Sequence, residues 1–128
     1  MFGGNTRLSM VVHVDWDPAA DDDLPIWVAP LACEITAAKA VITNVVNGST
    51  ANYFDLALYN GGTAGTALTA IAGTIGGTAG WTALTPVAFT VTNGTVAAGE
   101  LVKVRYNEEG SGTFQAMIVQ LDYVIGQA

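Results

Sequence analysis

The sequence predicts an all-β protein, a single-domain antiparallel sandwich or barrel of about eight short strands. The chain has 128 residues, which is the usual length of one domain. Residues branched at Cβ are abundant, with 14 Val, 7 Ile and 15 Thr, and such side chains favour strands over helices. Apolar and polar residues alternate along several segments, as expected of strands that bury one face of an antiparallel sheet.

Five of the predicted strands follow directly from this alternation. In the first, Leu8, Met10, Val12 and Val14 share one face, and polar residues occupy most of the other. Three further strands have weaker patterns, and residues 33–41 would also suit a short helix because they contain three alanines. In chain order, the predicted strands span residues 8–16, 24–28, 33–46, 52–59, 67–73, 87–91, 101–106 and 115–125.

Glycine-containing segments separate these strands and predict the turns. The dipeptides that predict turns are Asn47-Gly48, Asn60-Gly61 and Asn93-Gly94. Residues 109–112, Glu-Gly-Ser-Gly, predict a hairpin between strands 101–107 and 113–125. The sequence Gly-Gly-Thr-Ala-Gly occurs at residues 61–65 and again at 76–80. Neither copy contains a phosphate-binding pattern, so both predict glycine-rich turns that flank one strand.

The composition combines few charges with no segment that could cross a membrane as a helix. Charged residues make up 12% of the chain, hydrophobic residues 51%, and the net charge is -7. These values exclude a disordered chain and argue against nucleic acid or a membrane as the partner. We find no pattern of an export signal. The low charge predicts that neighbouring subunits cover part of the surface. The alternative is a monomer whose Thr, Ser, Asn and Gly supply enough polarity.

An acidic segment near the N-terminus is the first candidate site. Clustered carboxylates can bind Ca²⁺, although the spacing here does not match an EF-hand. The same segment could be a solvated loop that aids solubility, or an arm that docks on a basic patch of a partner. The candidate calcium ligands are Asp15, Asp17, Asp21, Asp22 and Asp23.

The sequence lacks a recognisable set of catalytic residues. His13 is the one histidine, and no GxSxG nucleophile motif accompanies it. The single cysteine, Cys33, lies next to an acidic residue and is predicted to be a buried small side chain. Acidic pairs could serve a glycosidase, but no spacing identifies a pair. We therefore predict no enzymatic activity and no cofactor. The acidic residues considered are Glu34, Asp55, Glu100, Glu108, Glu109 and Asp122.

Two segments resemble a family of small virion proteins of tailed bacteriophages. They are ANYFDLALYNGGTAGTAL at residues 51–68 and VAAGELVKVRYNEEGSG at residues 96–112. The family consists of capsid decoration (cement) or head-fibre proteins. The resemblance implies a jelly-roll-like β-sandwich that forms homo-oligomers, commonly trimers. It also implies binding to the major capsid protein between capsomers on the capsid exterior, after synthesis in the host cytoplasm.

The first seven residues are predicted to be an arm, and residues 8–128 the β-sandwich domain. The arm contains a Gly3-Gly4 hinge and would reach the capsid or a neighbouring subunit. The residues predicted to contact the capsid or another subunit are Phe2, Asn5, Arg7, Asp55 and Asp122. Two alternatives remain open. One is a receptor- or glycan-binding tip domain of a tail fibre, with Trp81 exposed after a glycine-rich loop, and the other is a small carbohydrate-active enzyme.

Overall fold

All regular structure in the described part of the chain is β-strand. The computed structural model describes residues 7–15, 22–43, 53–61, 65–69, 72–73, 83–109 and 116–125. Within these ranges no helix is long and apolar enough to cross a membrane. The strands are β1 (Arg7–Asp15), β2 (Asp22–Val28), β3 (Cys33–Ile42), β4 (Tyr53–Asn60), β5 (Thr66–Ala67), β6 (Ala72–Gly73), β7 (Val87–Phe89), β8 (Thr95–Val96), β9 (Leu101–Glu109) and β10 (Ala116–Ile125).

The strands form two antiparallel sheets of five strands each, packed as a sandwich. The β1 sheet has the order β1-β10-β3-β7, with β8 also paired to β3. The β2 sheet has the order β2-β9-β4-β5, with β6 also paired to β4. The predicted all-β antiparallel sandwich is thus confirmed.

The order of pairing along the chain is that of a jelly roll. Strands from the two ends of the sequence pair with each other, β1 with β10 and β2 with β9. Strands nearer the middle of the sequence pair likewise, β3 with β7 and β8, and β4 with β5 and β6. Successive pairs alternate between the sheets, so that the pairs of β1 and β3 lie in one sheet and the pairs of β2 and β4 lie in the other. The result is a two-sheet roll whose chain crosses repeatedly between the layers.

The core lies between the sheets and is built from alternate residues of the strands. Val102, Val104 and Tyr106 of β9 are fully buried, as is Leu121 of β10, and the intervening positions face outward. Each large side chain removed from water in this way contributes about 1.5–3 kcal/mol. Further core positions are Ile35, Ile42, Phe54, Leu56, Leu58, Leu68, Val96 and Val119.

Aromatic contacts join the two layers and stiffen one of them. Trp27 of β2 meets Tyr123 of β10 across the sandwich, with ring centroids 4.9 Å apart. Within the β2 sheet, Phe54 stacks on Tyr106 at 5.5 Å. Such aromatic pairs add about 0.5–1.5 kcal/mol to the energy of burial.

A β-bulge explains why residues 33–41 show an irregular pattern. The register of β3 against β10 shifts so that Asp122 pairs with Ala37 and Tyr123 pairs with Ile35, which leaves Thr36 as an extra residue. Before the bulge the buried residues are odd-numbered, and after it they are even-numbered, beginning with Ala38. The segment is therefore a continuous strand rather than the alternative short helix.

The predicted turn at Asn60-Gly61 is confirmed, whereas Asn93-Gly94 has a different role. Gly61 has a φ of +87° and ends β4 in the hairpin to β5. Gly94 has an ordinary φ, but its backbone packs so closely on β3 that an added Cβ would overlap the carbonyl oxygen of Ile35. Close approach of two backbones, not turn geometry, requires glycine there. The Asn47-Gly48 turn and residues 76–80 lie outside the described residues.

The prediction of a hairpin around residues 109–112 is wrong. β9 lies in the β2 sheet and β10 in the β1 sheet, so these two strands do not pair with each other as a hairpin. Glu108 and Glu109 are not at a hairpin tip, because both belong to β9 and pair with β4. Turn-forming residues mark a break between strands, but they do not specify which sheet the next strand joins.

Candidate functional site

The outer face of the β1 sheet, which points away from the core, is the main candidate site. Strand register arranges its residues in rows across β1, β10 and β3. One row contains Ser9, Asp122 and Ala37, and the next contains Val11, Gln120 and Lys39. The following row contains His13, Ile118 and Val41. The face therefore has a polar half around Asp122 and an apolar half around Ile118.

The polar half is an ordered network centred on Asp122. The Ser9 hydroxyl donates a hydrogen bond of 2.6 Å to the Asp122 carboxylate, and the Gln120 amide donates one of 3.4 Å. The Ser9 hydrogen bond is the largest cause that lowers the pKa of Asp122. The Gln120 hydrogen bond and the charges of Lys39 and Arg7 lower this pKa further, against the effect of desolvation. Two predicted contact residues, Arg7 and Asp122, are thus on one face.

The apolar half surrounds a shallow pocket and includes a strained leucine. The pocket, of about 220 Å³, is lined by residues that include His13, Val41, Ile118 and Leu84. Leu84 is 74% exposed and has a φ of 57°, in the left-handed region that disfavours branched and bulky side chains. A hydrogen bond of 2.8 Å from its backbone N–H to the Ile42 carbonyl holds it there. An exposed apolar residue in a strained backbone is a candidate contact residue.

The outer face of the β2 sheet contains an ion-pair cluster that the sequence patterns did not reveal. Asp23 accepts hydrogen bonds from Lys103 Nζ at 2.8 Å and from Arg105 at 2.9 Å and 3.2 Å. The Arg105 guanidinium also lies over the Tyr59 ring, 4.0 Å from its centroid. Lys103 is only 3% exposed, so neighbouring groups rather than water stabilise its positive charge. The partners are separated by about 80 residues in sequence, so only the pairing of β2 with β9 brings them together.

This cluster predicts that the protein loses stability in acid. The Arg105 hydrogen bond is the largest cause that lowers the pKa of Asp23 from its usual 3.8, and Lys103 lowers it further against desolvation. A lowered pKa stabilises the folded state above pH 3.8, and this contribution is lost as the pH falls through the folded-state value. We expect Asp23→Asn to reduce the free energy of unfolding by about 1 kcal/mol at neutral pH and by less in acid.

Urea titrations of the wild type and the variant at about pH 7 and about pH 2.5 would measure this difference. Asp22→Asn is the matched control, because it removes the same charge from the neighbouring residue. Equal losses from both substitutions, or a loss from Asp23→Asn that is the same at both pH values, would contradict the role of the cluster.

The other predicted acidic residues are dispersed over the fold. Asp55 lies on β4 in the opposite sheet from Asp122; it is 9% exposed and accepts a hydrogen bond of 3.4 Å from Asn107. It therefore does not join the surface formed by Arg7 and Asp122. The Glu100 carboxylate accepts a hydrogen bond of 2.6 Å from the Ala97 N–H and closes the turn between β8 and β9. Glu34 is exposed on β3.

The calcium hypothesis stays a prediction. Asp15 ends β1, while Asp22 and Asp23 begin β2, and the carboxylate of Asp23 is engaged by two cationic side chains. The described residues contain no group of three or more His, Cys, Asp or Glu side chains placed to bind a metal ion. Asp17 and Asp21 lie outside those residues, as do Phe2, Asn5 and Trp81.

The remaining candidates, Cys33 and His13, and the predicted contact residue Arg7 all lie in described strands. Cys33 is buried, as predicted, and desolvation raises the pKa of its thiol. His13 is exposed on the outer face of the β1 sheet, opposite Ile118 of β10. Arg7 is the first residue of β1, one position earlier than the predicted start of the domain.

Comparison with known proteins adds no relative from which a role could be transferred. No family model matches the chain, no curated protein matches it significantly, and no solved structure matches it significantly. A functional inference therefore depends on the chemistry of the surfaces described above.

Proposed function

We propose that the chain is a structural, non-enzymatic virion protein of a tailed bacteriophage. It associates with further copies of itself and binds the major capsid protein on the outside of the assembled capsid. The observation that carries this proposal is the apolar half of the outer face of the β1 sheet. Leu84, which lines the pocket beside this half, is 74% exposed, and Val11, in the row between the two halves, is 49% exposed, in a chain with 12% charged residues. Apolar patches with few charges are typical of surfaces that become buried on assembly.

The two-sheet fold suits a protein that must resist deformation. Backbone hydrogen bonds run through both sheets, and buried side chains fill the space between them. A rigid surface loses little conformational entropy when it binds, so more of the contact energy appears as affinity. Many identical copies on a repeating shell would convert modest individual contacts into stable attachment.

The polar half of the same face supports specificity rather than affinity. Hydrogen bonds hold Asp122 in place, and Arg7 and Lys39 add positive charge nearby. Fixed charges at the margin of an apolar patch orient an approaching partner and reject partners with the wrong charge pattern. The resemblance to phage decoration proteins implies a trimer, and the trimer is part of this proposal.

Capsid binding tests the proposal directly. Particles of the phage that encodes the chain, prepared without the chain, would be mixed with purified protein and separated by sedimentation. We expect wild-type protein to bind in a fixed ratio to the shell subunits. Leu84→Ala should weaken binding by about tenfold, since an exposed leucine that becomes buried in an interface contributes about 1–2 kcal/mol.

Val28→Ala is the matched control, because Val28 is 57% exposed and lies on β2, outside the β1 sheet. Equal binding by the two variants would contradict the assignment of the contact surface. A handful of copies per particle, located at the tail, would instead support the tail-fibre alternative.

A further inference from the structure

The edges of the two sheets differ in how well they are protected. An exposed edge strand can pair with another chain, and proteins usually prevent this with proline, bulges or very short strands. The edge strand β2 contains Pro25 and a bulge beside it. The opposite edges are made of β5, β6, β7 and β8, which have only two or three residues each.

β1 is the exception among these edges. It has nine residues, contains no proline, and pairs with β10 in a register without a shift. In the described part of the chain, β10 is the only strand that pairs with it. Its inward-facing residues Leu8, Met10 and Val12 are only half-buried, because the sandwich is open on this side. A long, regular and partly apolar edge of this kind is suited to strand addition.

The sequence of β1 is complementary to itself when two copies run antiparallel. With Val11 opposite Val11 of a second copy, Arg7 lies opposite Asp15 at both ends of the ladder. Ser9 then faces His13, which places a hydroxyl beside an imidazole. Directly opposite side chains in an antiparallel pair project from the same face, so the polar residues meet polar residues.

Other registers lack this complementarity. A shift by one residue would place outward-facing residues opposite inward-facing ones. A shift by two residues would shorten the ladder and separate Arg7 from Asp15. The register centred on Val11 is therefore selected by both the side-chain faces and the charges.

We propose that β1 is a self-association edge, which pairs antiparallel with β1 of a second copy around a twofold axis at Val11. The two β1 sheets then become one continuous sheet, and the partner covers the open side of the sandwich next to Met10 and Val12. This inference deepens the proposed function and rests on its self-association. A twofold contact is symmetric, so on its own it yields a dimer, and together with the proposed trimer it joins two trimers into a hexamer.

Cysteine cross-linking tests the register. In an antiparallel pair, directly opposite Cα atoms are about 4.5–5.5 Å apart, which a disulfide can bridge. Val11→Cys should therefore form a covalent dimer on mild oxidation. Ser9→Cys is the control, because the two copies of residue 9 would be offset by four residues, or about 14 Å. Cys33 is buried and does not compete. Equal cross-linking of both variants, or of neither, would overturn the register.

Charge exchange tests the pairing in solution. The wild type should sediment as an even-numbered oligomer. Asp15→Arg places two arginines opposite each other and should weaken self-association by about tenfold. Adding Arg7→Asp to that variant should restore association, whereas Glu34→Arg, on β3 of the same face, should leave it unchanged. A monomeric wild type, or a double variant as weak as Asp15→Arg, would overturn the proposal.

These measurements use the chain without capsids, so they separate the pairing from the proposed function. Cross-linking at Val11 by a chain that does not bind phage particles would support the pairing and contradict the virion role. Capsid binding by a chain that does not cross-link would support the virion role and contradict the pairing.

Discussion

Replacing Leu121 with alanine is expected to lower the free energy of unfolding by about 3–5 kcal/mol. Leu121 is fully buried on β10, and it is part of the core between the two sheets. β10 is paired on both sides, with β1 and with β3, so its backbone cannot move inward to fill the cavity. The substitution therefore removes the transfer energy of the side chain and also leaves a void.

Leu84→Ala is the matched control for this prediction. It makes the same chemical change at a position that is 74% exposed, so the free energy of unfolding should change by less than about 0.5 kcal/mol. Urea denaturation of both variants would measure the two values. A similar loss for both, or a loss below about 1 kcal/mol for Leu121→Ala, would contradict the observed position of the core.

Replacing Gly94 with alanine is expected to destabilise the protein by about 3 kcal/mol or more. The Gly94 carbonyl accepts a hydrogen bond of 2.8 Å from the Ile35 N–H, and the added methyl group would overlap the carbonyl oxygen of Ile35. Two backbones would have to separate, which would break this hydrogen bond and strain the neighbouring pairing of β3 with β8.

Gly99→Ala distinguishes this steric effect from ordinary glycine strain. Gly99 has a φ of +83°, but an added Cβ would meet no atom within 4 Å. Its replacement should lower the free energy of unfolding by only about 1 kcal/mol, because alanine disfavours the left-handed backbone conformation. Thermal unfolding followed by circular dichroism would rank the two variants. If Gly99→Ala were the more damaging, the close packing of residue 94 on β3 would be refuted.

Several features of the fold could be predicted from local sequence because they depend on neighbouring residues. The alternation in β1 and β10 follows from the two-residue period of a strand, so their buried faces were correctly predicted. The turn at Gly61 was predictable because few other residues adopt its positive φ. The burial of Cys33 was also correctly predicted.

The candidate site was only partly predictable. Arg7 and Asp122 were both proposed as contact residues, and the structure places them on the same face. Leu84 was not predicted, because its exposure and left-handed backbone have no signal in the surrounding residues. Asp55 is also among the predicted contact residues, but it lies in the opposite sheet from Asp122.

The sequence alone determines which segments form strands and which face of most strands is buried, because alternation and turn residues act over a few positions. The sequence does not determine which strands pair with each other, since backbone hydrogen bonds form between segments of any sequence that are brought together. The placement of β9 and β10 in different sheets, the extra residue in β3 and the approach of Asp23 to Lys103 all result from contacts between distant segments. Those contacts depend on how the two layers fit against each other.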